Sequence, residues 1–267
     1  MKVDVLNLEG KKVKTIDLPK QFEEPVRLDL IKRAFYVIQD NKRQPYGANP
    51  EAGMRASAKI SRRRHNYKTA YGYGISRVPR KILTKRGTRF SWVGAVAPGT
   101  VSGRKAHPPK AEKIWDKKIN KKERRKAIRC ALSATINKEL IKSRGHLFKE
   151  APLILDSKLE SLSKIKEVSE VFKKINLEKE LDRINVKKIR AGKGKNRGRK
   201  YKIKKGPLLV VSDSCALEKS AKNFLGVDIC KVNKLNVELL APGTEPGRLT
   251  IYTDKSLEKL SKENLFM

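Results

Sequence analysis

Residues 207–232 read PLLVVSDSCALEKSAKNFLGVDICKV. The apolar run Leu208, Leu209, Val210 and Val211 is followed by a polar turn, a helical stretch over residues 216–224 closed by Gly226, and a second apolar run over residues 227–232. A strand that is apolar at every position is buried on both faces, and a strand-helix-strand order joins parallel neighbours. The same alternation continues on either side. Upstream, residues 153–155 read as a short strand, and Leu159, Leu162, Ile165, Val168 and Phe172 share one helical face. Downstream, residues 235–240 read as a helix, 249–252 as a strand and 257–260 as part of a last helix. The expectation is an α/β fold, a mostly parallel sheet with packed helices, and no internal repeat of fixed period.

Nearer the N-terminus, Val3, Val5 and Leu8, then Val13, Ile16 and Leu18, flank the turn at Glu9, Gly10 and Lys11, which predicts a β-hairpin. Pro25 opens a helix whose positions Leu28, Ile31, Ala34, Phe35 and Ile38 keep the 3.6-residue period until Asn41 ends it. A second helix starts at Asn120, with Glu123 three residues on. Its stripe is Ile128, Leu132, Ile136 and Leu140, and Gly145 is placed to close it.

Between those two helices, residues 42–110 hold 17 Lys and Arg and one acid, Glu51, and show no hydrophobic period. A coreless segment of that length is either disordered or organised by something outside the chain. Its six aromatics, Tyr46, Tyr67, Tyr71, Tyr73, Phe90 and Trp92, argue against plain disorder. The whole chain carries a formal charge of +36, which repels itself unless a polyanion lies alongside. The charge is unevenly placed: +16 in residues 42–110, +8 in 111–148 and +11 in 187–205, while 1–41 carry +1 and 149–186 and 206–267 sum to zero. The organisation expected is an α/β domain from residues 1–41 and 111–267, with 42–110 as a long extended basic loop inserted in it. Residues 187–205 form a second basic insertion between a helix and a strand.

These runs supply the candidate binding residues. In the loop they are Arg43, Tyr46, Arg55, Lys59, Arg62, Arg63, Arg64, His65 and Lys68, then Arg77, Arg80, Lys81, Lys85, Arg86, Arg89 and Trp92, and finally Arg104, Lys105 and His107. Arg124 and Arg125 follow on the helix from Asn120, where cations oppose the positive end of the helix dipole and invite a phosphate. The second insertion adds Arg190, Lys193, Lys195, Arg197, Arg199 and Lys200. Arg outnumbers Lys in the loop, and its planar fork bonds phosphate bidentately and stacks on bases. With interleaved tyrosines and no recognition helix of defined register, the pattern fits folded RNA better than duplex DNA.

Other chemistries find little support. There is no GxxxxGK[ST] loop, and Gly192-Lys193-Gly194 lacks the strand and the third glycine of a dinucleotide site. His65, His107 and His146 lie far apart without metal-ligand spacing, so neither a metal nor another cofactor is expected. Cys130, Cys215 and Cys230 show no disulfide framework, and no run of about 18 apolar residues exists to span a bilayer. The expected location is the cytoplasm, without a membrane partner. Asp213, just past the strand at 208–211, suits metal binding or base catalysis, whereas Asp213 or Ser214 as the cap of the helix starting near Cys215 is the commoner use of such residues. An RNA-modifying or RNA-cleaving enzyme using Asp213, and a free RNA chaperone, stay open as rival readings.

Residues 43–47 (RQPYG) through 55–58 (RASA), residues 62–67, Tyr71-Gly72-Tyr73-Gly74, residues 103–109 (GRKAHPP), the helix from Asn120 and residues 192–200 closely resemble the archaeal and eukaryotic branch of the large-subunit ribosomal protein family "L four". The similarity extends over essentially the whole chain, and its length favours the archaeal form. The resemblance implies a non-enzymatic structural protein of the large ribosomal subunit in the cytoplasm, which binds large-subunit rRNA early in assembly. It also implies that the loop forms part of the polypeptide exit tunnel, with neighbouring large-subunit proteins and the nascent polypeptide as partners. By symmetry of chain length the loop apex is expected near residues 71–80, with Tyr71, Tyr73, Arg77 and Arg80 lining the tunnel.

Overall fold

The computed structural model describes residues 1–87 and 89–267. In chain order the strands are β1 (Lys2–Leu6), β2 (Lys12–Asp17), β3 (Arg80–Arg86), β4 (Arg89–Gly94), β5 (Leu153–Leu155), β6 (Lys188–Ile189), β7 (Tyr201–Lys202), β8 (Leu208–Val211), β9 (Asp228–Lys231) and β10 (Thr250–Thr253). The helices are α1 (Leu28–Asn41), α2 (Lys121–Ala134), α3 (Lys138–Ser143), α4 (Ile165–Lys174), α5 (Glu178–Ile184), α6 (Leu217–Ala221), α7 (Val237–Leu240) and α8 (Asp254–Lys262). Two compact units result: Met1–Lys42 with Asp116–Met267, and Arg43–Trp115.

In the first unit six strands pair in the order β2-β1-β5-β10-β8-β9. β1 and β2 are antiparallel, with Val3 opposite Ile16, and every other neighbouring pair is parallel. The two-residue period of a strand sends alternate side chains to opposite faces. Leu208 and Val210 join Ile154 and Tyr252 under α1, α2, α7 and α8. Leu209 and Val211 join Leu153, Leu155 and Ile251 under α3, α4, α5 and α6. Both faces are therefore covered, which is why β8 is apolar throughout. Each fully buried Leu, Ile or Phe, such as Leu132, Ile154 and Phe172, contributes about 1.5–3 kcal/mol of burial free energy.

Several local expectations are corrected. The first helix begins at Leu28, three residues beyond Pro25. The single helix from Asn120 is two, because Thr135 turns its hydroxyl back to the Leu132 carbonyl at 2.7 Å and Asn137 restarts the helix by accepting from Glu139 N at 2.9 Å. Residues 157–161 form a 3-10 turn ahead of α4 rather than continuing its face, and α5 was not anticipated. Asp213 and Ser214 do not cap α6: Lys259 Nζ donates to Asp213 Oδ1 at 2.6 Å, and Ser214 pairs with Lys231.

The second unit, Arg43–Trp115, contains a hairpin of β3 and β4 that the expectation of a coreless loop did not include. Ile82 lies opposite Trp92 in this hairpin, and a separate turn lies at residues 71–74. Further along, Ala48 N donates to the Pro109 carbonyl at 2.9 Å and Arg104 N to the Val96 carbonyl at 3.1 Å. Gly53 makes this approach feasible: at φ +79° it lies so near residues 103 and 104 that a Cβ would sit 2.4 Å from Arg104 N. Among the described residues of this unit only Thr69, Ala70 and Ala95 are buried, too few for an independent hydrophobic core.

Candidate nucleic-acid interface

In the hairpin unit, Tyr46, Tyr67, Trp92 and Trp115 each pack against another ring as well as meeting cations. Phe90 stacks on Trp92 with centroids 5.4 Å apart, and Tyr67 meets Phe90 edge-on at 5.3 Å. Lys68 and Lys85 lie over Tyr67 at 5.5 and 5.2 Å, Arg80 over Trp92 at 5.8 Å, and Arg64 and Arg77 beside Tyr71 at 5.9 and 5.6 Å. Tyr46 stacks on Trp115 at 5.8 Å, with Arg43 at 4.0 Å and Lys113 at 4.4 Å from the indole. A guanidinium over a ring keeps its charge unneutralised, so these cations stay available to an anion.

The other loop candidates divide by exposure. Lys59, Arg62, Arg63, Arg64, His65, Arg77, Lys85, Arg86, Arg89, Arg104, Lys105 and His107 are exposed, as is Tyr73, while Lys81, Trp92 and Tyr71 are half-buried. Arg80 is committed locally: Nη1 donates to the Ser76 carbonyl at 2.6 Å and Nη2 to Ser76 Oγ at 2.9 Å. Arg55 faces Glu51 at 3.9 Å, the one ion pair among the described residues of the unit. The unit holds 17 Lys and Arg against Glu51 and Glu112.

The second insertion is a short hairpin of β6 and β7, tightened where Arg190 N donates to the Lys200 carbonyl at 2.8 Å and Arg190 Nε to the Arg199 carbonyl at 3.1 Å. Lys193, Lys195, Arg197, Arg199 and Lys200 are exposed, and Lys187 and Lys200 flank Tyr201. Its exit from the sheet is tied to buried charge. Arg183 Nη2 donates to the Lys205 carbonyl at 2.8 Å, and the fully buried Arg248 donates from Nε to the Gly206 carbonyl at 2.8 Å and from Nη2 to Asp228 Oδ2 at 2.7 Å. Arg183 is in turn paired with Glu180, which also faces His146 and accepts from Leu147 N. Burial would raise the Glu180 carboxyl, but Arg183, His146 and the Leu147 amide hold it down, at about 2.

In both hairpins, like charges stand opposite each other across the strands: Arg86 faces Arg89, and Lys188 faces Lys202. Directly opposed like charges destabilise a strand pair, so both sites call for an intervening anion. The α2 candidates differ. Arg124 is exposed, but Arg125 Nη1 donates to the Met267 carbonyl at 2.6 Å, which gives that cation an internal role. Sequence reasoning missed Tyr67, Lys113, Trp115, Lys187 and Tyr201 as site residues. Their signal was an aromatic with a cation within two positions, as in Lys113-Ile114-Trp115 and Lys200-Tyr201-Lys202.

Beyond the C-terminal strand ends, where open α/β sheets place catalytic groups, the polar atoms satisfy each other. Glu160 accepts from Ser212 N at 3.0 Å, Ser212 Oγ at 2.8 Å and Thr253 Oγ1 at 2.7 Å. Among the described residues no group of three His, Cys, Asp or Glu is placed to hold a metal, and no helix is long and apolar enough to cross a membrane.

The chain is 53% identical over 268 aligned residues to the large ribosomal subunit protein uL4 of Nanoarchaeum equitans, covering all of both chains. It is 46% identical to the protein of that name in Archaeoglobus fulgidus, covering 98% of this chain and 99% of the relative. For that of Methanopyrus kandleri the identity is 43%, with 98% of each covered. A family model described as the ribosomal protein L4/L1 family matches residues 16–263, and the chain belongs to that family.

Proposed function

We propose that this protein is a structural, non-enzymatic constituent of the large ribosomal subunit in the cytoplasm, and that its two basic hairpins bind large-subunit rRNA. The observation that carries the reading is the opposition of Arg86 to Arg89 and of Lys188 to Lys202, on hairpins whose cations have almost no carboxylate partners among the described residues. A polyanion threading both sites relieves that repulsion, and the packed aromatics offer faces to unpaired bases. The candidate loop residues from Arg43 to His107, with Arg124 and the cations of residues 187–205, are the contacts. Residues 42–110 act as the inserted rRNA-binding loop. With three buried residues, that loop takes its working shape on RNA, which suits early entry into assembly.

Within the same reading the loop forms part of the polypeptide exit tunnel. Tyr71, Tyr73, Arg77 and Arg80 are the proposed lining, beside the nascent polypeptide and neighbouring large-subunit proteins. The test is sedimentation of tagged chain through a moderate-salt gradient. It should remain with large subunits and be lost from them when residues 50–100 are deleted. Recovery at the top of the gradient, with free RNA or none, would instead favour a chaperone or enzyme.

A further inference from the structure

We propose that the cleft between α3, the segment after it, α4 and the start of α5 is a separate site for one unpaired nucleotide. The cleft measures about 630 Å3 and is bordered by Lys142, His146, Phe148, Lys149, Asn176 and Lys179, among others. Lys142, His146 and Phe148 come from residues 111–148, beyond the lysine- and arginine-rich start of α2. The other three come from residues 149–186, whose charges sum to zero along the chain, so the concentration of lysines exists only in the fold. Lys142, Lys149 and Lys179 have no carboxylate within ion-pair distance among the described residues. Glu178, the one acid on the cleft, faces Lys173 at 3.8 Å.

The second observation is His146. It is 4% exposed, and its Nδ1 lies 2.7 Å from Glu180 Oε1. Arg183 Nη2 lies 3.2 Å from the same nitrogen but is itself bonded to Glu180 Oε1 at 2.6 Å. The short contact to an ionised carboxylate puts the imidazole proton on Nδ1. Nε2 is left as an acceptor without a partner among the described residues, on a side chain that lines the cleft. Burial pushes His146 below the usual histidine range, which keeps that acceptor neutral.

The chemistry of the lining is that of a nucleotide. Lysines take the phosphate, the ring of Phe148 and the exposed Leu147 offer an apolar wall to a base, and His146 Nε2 accepts from a ribose hydroxyl or an exocyclic amine. Asn176, held at φ 60° between α4 and α5, adds an amide. An acidic peptide also matches the lysines and can donate a backbone N–H to Nε2, but its carboxylate side chains present no flat face to Phe148.

Long-range proton-nitrogen spectra of the full chain test this, because it has three histidines: His65 and His107 report the basic loop and His146 the cleft. The probes are AMP, inorganic phosphate, hexaglutamate, and an RNA hairpin with and without one bulged nucleotide. Expected is a saturable shift of His146 with AMP, at least tenfold weaker with phosphate. The triple variant Lys142→Ala, Lys149→Ala, Lys179→Ala should bind AMP about tenfold more weakly with its fold intact, since these lysines are exposed. A His146 shift with bulged but not perfect hairpin assigns the nucleotide to RNA, and a shift with AMP alone assigns it to free nucleotide. The proposal is overturned by a stationary His146 while His65 and His107 respond to RNA, by hexaglutamate matching AMP, or by an unaltered triple variant. Silence of all three histidines toward RNA overturns both this site and the proposed function.

Discussion

Replacing Arg62, Arg63 and Arg64 by alanine isolates the electrostatic part of RNA binding. All three are exposed, and none has a carboxylate within ion-pair distance among the described residues. If each neutralises one phosphate, the slope of log affinity against log salt should become shallower by about 2 to 3, since each phosphate contact contributes about 0.7–0.9. Between 50 and 200 mM salt, the wild-type chain should then lose on the order of 15- to 40-fold more affinity than the variant, by the same relation. The assay is fluorescence anisotropy with a large-subunit rRNA fragment across that range. Changing the three residues to lysine should keep the slope but weaken binding at every salt concentration, because the charge stays while the bidentate fork is lost. A control removes Lys11, Lys158 and Lys164, which face carboxylates at 3.1, 4.0 and 3.7 Å, and should leave the slope within about 0.5 of wild type. An unchanged slope in the arginine variant, or an equal change in the control, would refute the assignment of these cations to phosphate.

Deleting residues 50–100 should leave a chain that unfolds cooperatively by circular dichroism, because both apolar clusters are drawn from Met1–Lys42 and Asp116–Met267; a broad, non-cooperative transition would contradict this. In the free protein, amides of β3 and β4 should exchange with deuterium far faster than those of β8, since the hairpin unit buries so few residues. Gly226→Ala should cost at least about 2 kcal/mol in urea denaturation, combining strain at φ +74° with a Cβ 2.4 Å from the Lys204 carbonyl. Asp254 is raised by burial but held below the usual carboxylate range by Lys14 at 2.8 Å and the Lys255 amide. Its folded pKa is therefore below its unfolded one, so its contribution is complete above the unfolded value and lost as pH falls through the folded value. Asp254→Asn should destabilise the chain by about 1–3 kcal/mol at pH 7, with the difference from wild type closing as acid titrates the carboxylate.

What the sequence revealed, and what it hid, follows from the range of the interactions. β8, β5 and the N-terminal hairpin were legible because burial on both faces, or a tight turn, leaves a local signature at Leu208 to Val211 and at Gly10. The insertion of β10 between β5 and β8 was not, because the order of short buried parallel strands leaves no local signature until the connecting helices choose faces. α5 escaped because Glu180 occupies a buried position where periodicity expects an apolar residue, and only Arg183, His146 and the Leu147 amide make that burial tolerable. β3 and β4 escaped because arginine and lysine occupy both faces of the hairpin, erasing its alternation. The candidate binding residues stood out as charge. Their aromatic supports, Trp115 and Tyr201, did not, since a cation placed over a ring is a tertiary fact.

The two basic hairpins nevertheless differ in how they are held, and that difference bears on the order of events in binding. β6 and β7 leave the sheet next to Lys205 and Gly206, whose carbonyls are gripped by Arg183 and Arg248, with Asp228 and Glu180 balancing those guanidinium groups. Removing Asp228 strands the fully buried Arg248, a penalty of several kcal/mol, so the base of this hairpin is held in one orientation by the body itself. Within the unit Arg43–Trp115 the aromatics pack on one another, and among the described residues the cations are nearly unpaired and the three buried residues are small. Ordering it costs conformational entropy that its own packing does not offset. On the proposed function, this difference predicts that the rigid hairpin and the α/β body engage RNA first and that the long loop takes its shape afterwards.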